Sequence, residues 1–307
     1  MAGPRREGMD HTIYPYSPID TRPALRWPGG AQLAFTVLLH LEYWEIDPPA
    51  DAHRDPRFRN PFGNFDPEYH SWSYREYGAR IGIFRILELL ARHGIRASIA
   101  INAMAAERYA ALIPHLRAAG HEPVAHGIAA TRMLTSRMSE AVERAHLAEA
   151  RDRLAQVWGA VPRGWHGQDY GATGRTSRLL AELGFDYTLD WANDEQPYWH
   201  NPDRSLVAVP AQTEWDDVQT LWLRRVPLQR FPGLVGDAAD RLLAEPSPRL
   251  LGIGLHPWMI GAPHRIRYLR EALDHVAGRA GVIMATAGEV ADWFRAQAQG
   301  PAGSDRA

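Results

Sequence analysis

The chain has 307 residues, 45% of them hydrophobic, with a formal net charge of -2 at pH 7 and no cysteine. That length and apolar content allow a full α/β core and exclude global disorder. The charge excludes a built-in attraction to nucleic acid or anionic membranes. The lack of cysteine excludes disulfide scaffolds, thiolate nucleophiles and cysteine zinc sites.

No apolar run approaches the roughly 18 residues of a membrane span, and the first ten residues lack the apolar centre of a signal peptide. The expectation is a cytoplasmic protein acting on a small-molecule substrate, with no nucleic-acid or membrane partner.

Residues 1–30 carry Pro4, Pro15, Pro18, Pro23, Pro28 and the Gly29-Gly30 pair and read as an extended lead-in. Leu33–His40 reads as a strand buried on both faces. It runs into Glu42, Tyr43, Trp44 and Glu45, and in parallel sheets sites form at such strand ends. Residues 46–73 are long, irregular and aromatic, with Phe58, Phe62, Phe65, Tyr69 and Trp72, and are expected to wall a pocket or a subunit contact. A helix is predicted at 74–92, stopped by Gly94, then a strand at 97–101, a helix at 104–119 and a short strand at 123–125 delivering His126. A long helix follows over 139–158, then Gly164-Trp165-His166-Gly167.

A helix is predicted at 173–183, a strand at 185–189 delivering Asp190-Trp191, and a short strand at 206–209. Residues 211–233 read as irregular and include Glu214, Asp216 and Asp217. A helix at 236–244, a strand at 250–255 delivering His256, a helix at 265–277, a strand at 282–285 and a helix at 287–297 complete the domain. The tail from 299 reads as disordered. This alternation predicts a parallel sheet, and no glycine-rich phosphate loop opens a helix, so a single distorted (β/α)7 barrel over 31–298 is favoured over a nucleotide-binding sheet.

In a barrel the polar strand ends Glu42, Asn102, His126, Asp190, Glu214 and His256 converge on one rim. One carboxylate and two histidines can activate water, polarise a carbonyl and protonate a leaving group. Each histidine alone is more often a structural residue satisfied in place. His-Glu-x-x-His is absent, and position 130, four after His126, is alanine.

These residues resemble the NodB-type polysaccharide deacetylases (carbohydrate esterase family 4), and within them the PuuE-type allantoinase and cyclic imide hydrolase-like branch. His40-Leu41-Glu42-Tyr43-Trp44 is similar to the family's Thr-Phe-Asp-Asp-Gly, and His126-Gly-Ile-Ala-Ala130 to its His-Ser/Thr-x-x-His. Asp190-Trp-Ala-Asn-Asp-Glu-Gln-Pro-Tyr-Trp199 resembles the branch's Asp-x-x-Asn-Asp-x-x-Pro-Tyr-Trp, and Leu255-His256 the family's Leu-His motif.

The resemblance implies a NodB-type barrel. It makes Glu42 the general base and His256 the general acid, with His126 and Asp190 completing the catalytic set. Tyr43 and Ala130 stand where two family metal ligands would be. No cofactor is therefore expected, with a zinc or other divalent ion at Glu42 and His126 left open. Tyr43, Trp44, Trp165, Trp191, Asn193, Trp199, Glu214 and Trp258 are expected around the substrate.

The function implied is hydrolysis of a non-peptide carbon–nitrogen bond, in a small cyclic amide or imide. The alternatives are N-deacetylation of an oligosaccharide or small molecule, and an inactive binding barrel whose centre Tyr43 or Arg132 fills. A homo-oligomer, dimer or tetramer, is expected from the aromatic segment 46–73 and the resemblance.

Overall fold

The computed structural model describes residues 10–58, 61–63 and 67–299. The start of the lead-in, Phe65 and the tail from residue 300 lie outside the described residues.

The centre of the fold is β1 (Leu33–Leu41), buried along its whole length. Side chains alternate across a strand, and here the two faces meet different surroundings. Leu33, Phe35, Val37, Leu39 and Leu41 belong to one large apolar cluster, which takes in the helix residues Ile86, Leu90, Leu147, Val235 and Leu269. Ala34 and Leu38 belong to a second, inner cluster with Val124, Tyr187, Val207 and Leu250. Even-numbered positions of this strand therefore face the inside of the sheet's curl, and odd-numbered positions face the helices.

The remaining elements come in alternation. After β1 come α1 (Tyr69–Tyr77), α2 (Ile83–Arg92) and β2 (Ser98–Ile101), then α3 (Ala103–Arg108), α4 (Ile113–Ala118) and β3 (Glu122–Ala125). The middle of the chain supplies α5 (Glu140–Trp158), β4 (Gly164–Trp165), α6 (Thr176–Glu182), β5 (Tyr187–Thr188), β6 (Tyr198–His200) and β7 (Leu206–Ala208). The chain continues through α7 (Phe231–Leu243), β8 (Arg249–Leu255), α8 (Ile266–Val276), β9 (Val282–Ala285) and α9 (Ala287–Gln299). No helix among the described residues is long and apolar enough to cross a membrane.

The sheet order is β6-β7-β5-β4-β3-β2-β1-β8, parallel except for β6 against β7. β8 pairs with β1 over Leu33–Leu39. β9 pairs with Leu33–Thr36 and β2 with Leu38–Leu41, so these two share β1's other edge. That divided edge is the distortion. A bridge from Asp216 to Gly254 brings the segment after β7 alongside β8, so the sheet curls into a half-barrel.

Two predicted helices are broken. The predicted 74–92 helix starts earlier and contains a π turn, Gly78–Gly82, between α1 and α2. A Cβ on Gly82 would lie 2.1 Å from the Pro257 carbonyl oxygen, so only glycine lets this turn lie against the loop after β8. The predicted 104–119 helix divides at a 3₁₀ turn, Ala110–Leu112, and restarts as α4 with Pro114 in its first turn. β6 was not anticipated.

Candidate active site

The inward face of the curl carries the chemistry. His40 follows Leu38 on the inner face of β1, and Glu42 continues that face one residue past the strand. His126, His166 and His256 each lie one residue past β3, β4 and β8. These five side chains line one pocket with Trp44, Phe58, Gln168, Tyr170, Asp216 and Trp258. It leaves about 30 Å³ of free space, enough for one or two water molecules. Trp44 and Phe58 also border a wider cavity of about 880 Å³, lined by residues 45–50 and 52–56 together with Trp72 and Arg75. The aromatic segment thus walls the site.

The rings are closely grouped. His40 stacks on His256 with centroids 4.1 Å apart, and lies 5.3 Å from both His126 and His166. His126 and His166 are parallel at 5.0 Å. The His126 Nδ1 is 2.6 Å from the His166 carbonyl oxygen. A carbonyl only accepts, so Nδ1 donates and Nε2 is the nitrogen left facing the pocket. That Nε2 is 3.6 Å from Glu42 Oε1.

Burial alone would raise the Glu42 pKa. The His126 ring, the His256 charge and the Gln168 amide, which donates to Oε1 at 2.6 Å, outweigh it and lower the pKa to about 2. Glu42 is therefore a carboxylate at neutral pH, able to accept a proton.

His256 is held by Asp217. Its ring Nδ1 donates to Oδ1 at 2.7 Å and its backbone N–H to Oδ2 at 2.9 Å. Burial disfavours the imidazolium, but the carboxylates of Asp216, Asp217 and Glu42 prevail and raise its pKa to about 10. His256 is therefore charged at neutral pH and can give up a proton.

His40 is pushed the other way, well below the ordinary histidine value, by burial and then by its His256, His126 and His166 neighbours. Gly254 makes room for Asp216, because a Cβ there would lie 2.3 Å from Asp216 Oδ2. Burial raises the Asp216 pKa above its ordinary value. Asp169 and Tyr170, beside Gln168, both adopt left-handed backbone (φ 49° and 59°). Two such non-glycine residues cost about 1–3 kcal/mol each, and the turn they form sets Gln168 on Glu42 and Tyr170 against His166 at 4.8 Å.

The structure brings Glu42, His126 and His256 to one pocket, with Asp190 just behind it. Asp190 accepts from Gly167 N at 2.5 Å and from Thr188, and lies 3.4 Å from His166 Nδ1. Trp44 and Trp258 line the pocket.

Other expected substrate contacts lie elsewhere. Tyr43 falls on the outward face of β1's continuation and packs toward Tyr109 and Arg108. Trp165 is fully buried in the helix-side core against Phe185, because in Gly164-Trp165-His166 alternation turns the tryptophan out and the histidine in. Trp199 packs on Phe294 and Arg295 of α9. Trp191 packs on Tyr14 and His200, and Asn193 accepts from the Tyr198 hydroxyl. Glu214 is paired with Arg224 at the surface, while Asp216 and Asp217 supply the carboxylates. Arg132 is bonded to Glu45 and does not fill the centre.

Residues 76–188 match the polysaccharide deacetylase family model. A solved PuuE allantoinase is 30% identical with TM-score 0.81, the match covering 92% of this chain and 98% of that one. The chain belongs to the polysaccharide deacetylase family. A solved Pseudomonas aeruginosa PAO1 structure described as a polysaccharide deacetylase is 28% identical with TM-score 0.80, over 92% of this chain and 99% of its own. A Schizosaccharomyces pombe protein, also described as a polysaccharide deacetylase, is 26% identical over 95% of this chain and 98% of its own. The protein is an enzyme of this family's type, a hydrolase of carbon–nitrogen bonds other than peptide bonds.

The family commonly uses a divalent metal, and the residues present fit one. One ligand atom from each of His40, His126 and His166 lies within 4.8 Å of the others, and the same holds for His40, Asp216 and His256. Both ring nitrogens of His40 and of His166, and Nε2 of His126, are buried without a hydrogen-bond partner among the described residues. Sequence reasoning did not group these rings. His40, two residues before Glu42 and so on the same strand face, was the available signal; His166, beside an outward tryptophan, was the other.

Proposed function

We propose that the protein opens a small cyclic amide or imide by water attack. The observation supporting this reading most is the pairing of an ionised carboxylate, Glu42, with a charged histidine, His256, in one enclosed pocket. Glu42, held by Gln168, takes a proton from water. His126 faces the same carboxylate and helps to orient that water. His256, held by Asp217 through Nδ1, gives the proton on its other nitrogen to the departing ring nitrogen. Asp190 fixes the His166 loop. A divalent ion, when bound by the histidines, would supply Lewis-acid polarisation of the carbonyl.

The substrate ring enters from the wider cavity past Trp44 and Phe58. Similarity to an allantoinase also supports a small cyclic substrate. A second reading, N-deacetylation of a larger acetylated molecule, draws support from the breadth of that 880 Å³ cavity and from the relatives described as deacetylases.

The test is Glu42→Gln against a panel of five- and six-membered cyclic imides and amides. Loss of a general base predicts a fall of roughly 10²–10⁴ in kcat with an unchanged circular dichroism spectrum. Turnover at the parental rate would show that Glu42 is not the base. Activity on N-acetylated sugars and none on the panel would favour the second reading.

A further inference from the structure

We propose that His40, His126 and His166 together form a three-imidazole site for a borderline divalent cation, zinc above all, built from a residue set other than the one its motifs imply. By those motifs, the ligands would sit at positions 43, 126 and 130. Tyr43 points outward and residue 130 is alanine, so only His126 remains. The curl replaces the missing pair with His40 from the inner face of β1 and His166 from the end of β4.

Three observations carry the assignment. The first is unmet bonding. A buried polar group without a partner is costly, and apart from the His166 Nδ1 that faces Asp190 these three rings hold four such nitrogens. The second is orientation. His126 donates Nδ1–H to the His166 carbonyl, and the His166 Nδ1 lies 3.4 Å from Asp190. This is how ligating histidines are usually braced, with the outer nitrogen on a carbonyl or carboxylate and the other free for metal. The third is proximity: one ligand atom from each of the three rings lies within 4.8 Å of the others.

Three imidazoles with an open position suit zinc in a hydrolytic site.

The rival set, His40 with Asp216 and His256, is less suited. Neither Asp216 nor His256 contributes an unpartnered buried atom. The Nδ1 of His256 is already committed to Asp217, and Asp216 Oδ1 accepts from Gln219 N at 2.9 Å.

The experiment reads binding rather than turnover, so it is independent of the proposed reaction. The full chain is stripped with a chelator and titrated with Zn²⁺ by calorimetry, with metal content measured after dialysis. Co²⁺ loading is read from its visible absorption. The expected result is one ion per chain and a four-coordinate cobalt spectrum. His126→Gln and His166→Gln each weaken binding at least 100-fold, whereas Asp216→Asn and His256→Gln stay within threefold. Circular dichroism confirms each fold, and if one histidine variant fails to fold the other carries the comparison. No stoichiometric binding by the parent protein overturns the proposal, as does a loss of tenfold or more in Asp216→Asn or His256→Gln.

Discussion

Asp217→Asn tests the acid half of the site without touching substrate. Asp217 accepts from the His256 ring, the His256 backbone and, at 3.3 Å, the Ile260 backbone. Asparagine keeps an oxygen for one of these donors and removes the charge. The His256 pKa stands at about 10 against an ordinary 6.5, a displacement worth at most ~5 kcal/mol. An opposite charge at this range accounts for roughly 1–3 units, so the variant ring is expected to titrate at roughly 7–9.

Imidazole ¹⁵N–¹H NMR titration follows the ring directly. The sign of the linked stability change follows from the raised folded value. The contribution is fully present below about 6.5 and is lost as pH rises through about 10. The parent protein should therefore lose stability over that window, and the variant should lose less and finish the loss sooner. A parental His256 that titrates near 6.5, or a variant whose ring titrates where the parent's does, would refute the Asp217 assignment.

Two further outcomes are expected. Trp165→Ala should cost roughly 3–5 kcal/mol of stability in denaturant unfolding; a variant that stays stable yet loses substrate affinity would put the ring in the pocket after all. We also propose a homo-oligomer, because Tyr69, Ile81 and Phe84 are exposed on the α1–α2 stretch beside the aromatic segment. Light scattering should give a dimer or tetramer at micromolar concentration, and a monomer there would refute this.

Local signals were legible where local forces decide. The helix expected over 139–158 is capped by the Ser139 hydroxyl, which accepts from Val142 N at 3.3 Å, and ends at Gly159 with φ 84°. The β/α alternation was legible for the same reason, since each unit buries its own stripe. The site was legible only in part. Glu42, His126 and His256 announce themselves as polar ends of apolar runs.

Nothing local separates Glu214 from Asp216 and Asp217 in one acidic stretch. Which carboxylate reaches the pocket is set by the Asp216–Gly254 bridge, a contact between distant segments. Face was the other hidden variable. Reading β1 as buried on both sides was sound, but it hid that Tyr43 and Glu42 leave it in opposite directions. Trp165 and His166 repeat that lesson.

The divided edge of β1 has a consequence for how the chain reaches its native state. β1 is made early, yet its neighbours are β2, residues 249–255 and residues 282–285. During synthesis the strand that bears His40 and leads into Glu42 has one edge bare and the other half covered until residues 249–285 have emerged. Pairings this distant in sequence are slow to form, and an uncovered apolar strand is open to misassociation meanwhile. A ribosome-stalled or truncated chain ending before β8 should therefore lack an organised site altogether, because the segment from residue 249 onward, which itself supplies His256, also seats the first strand.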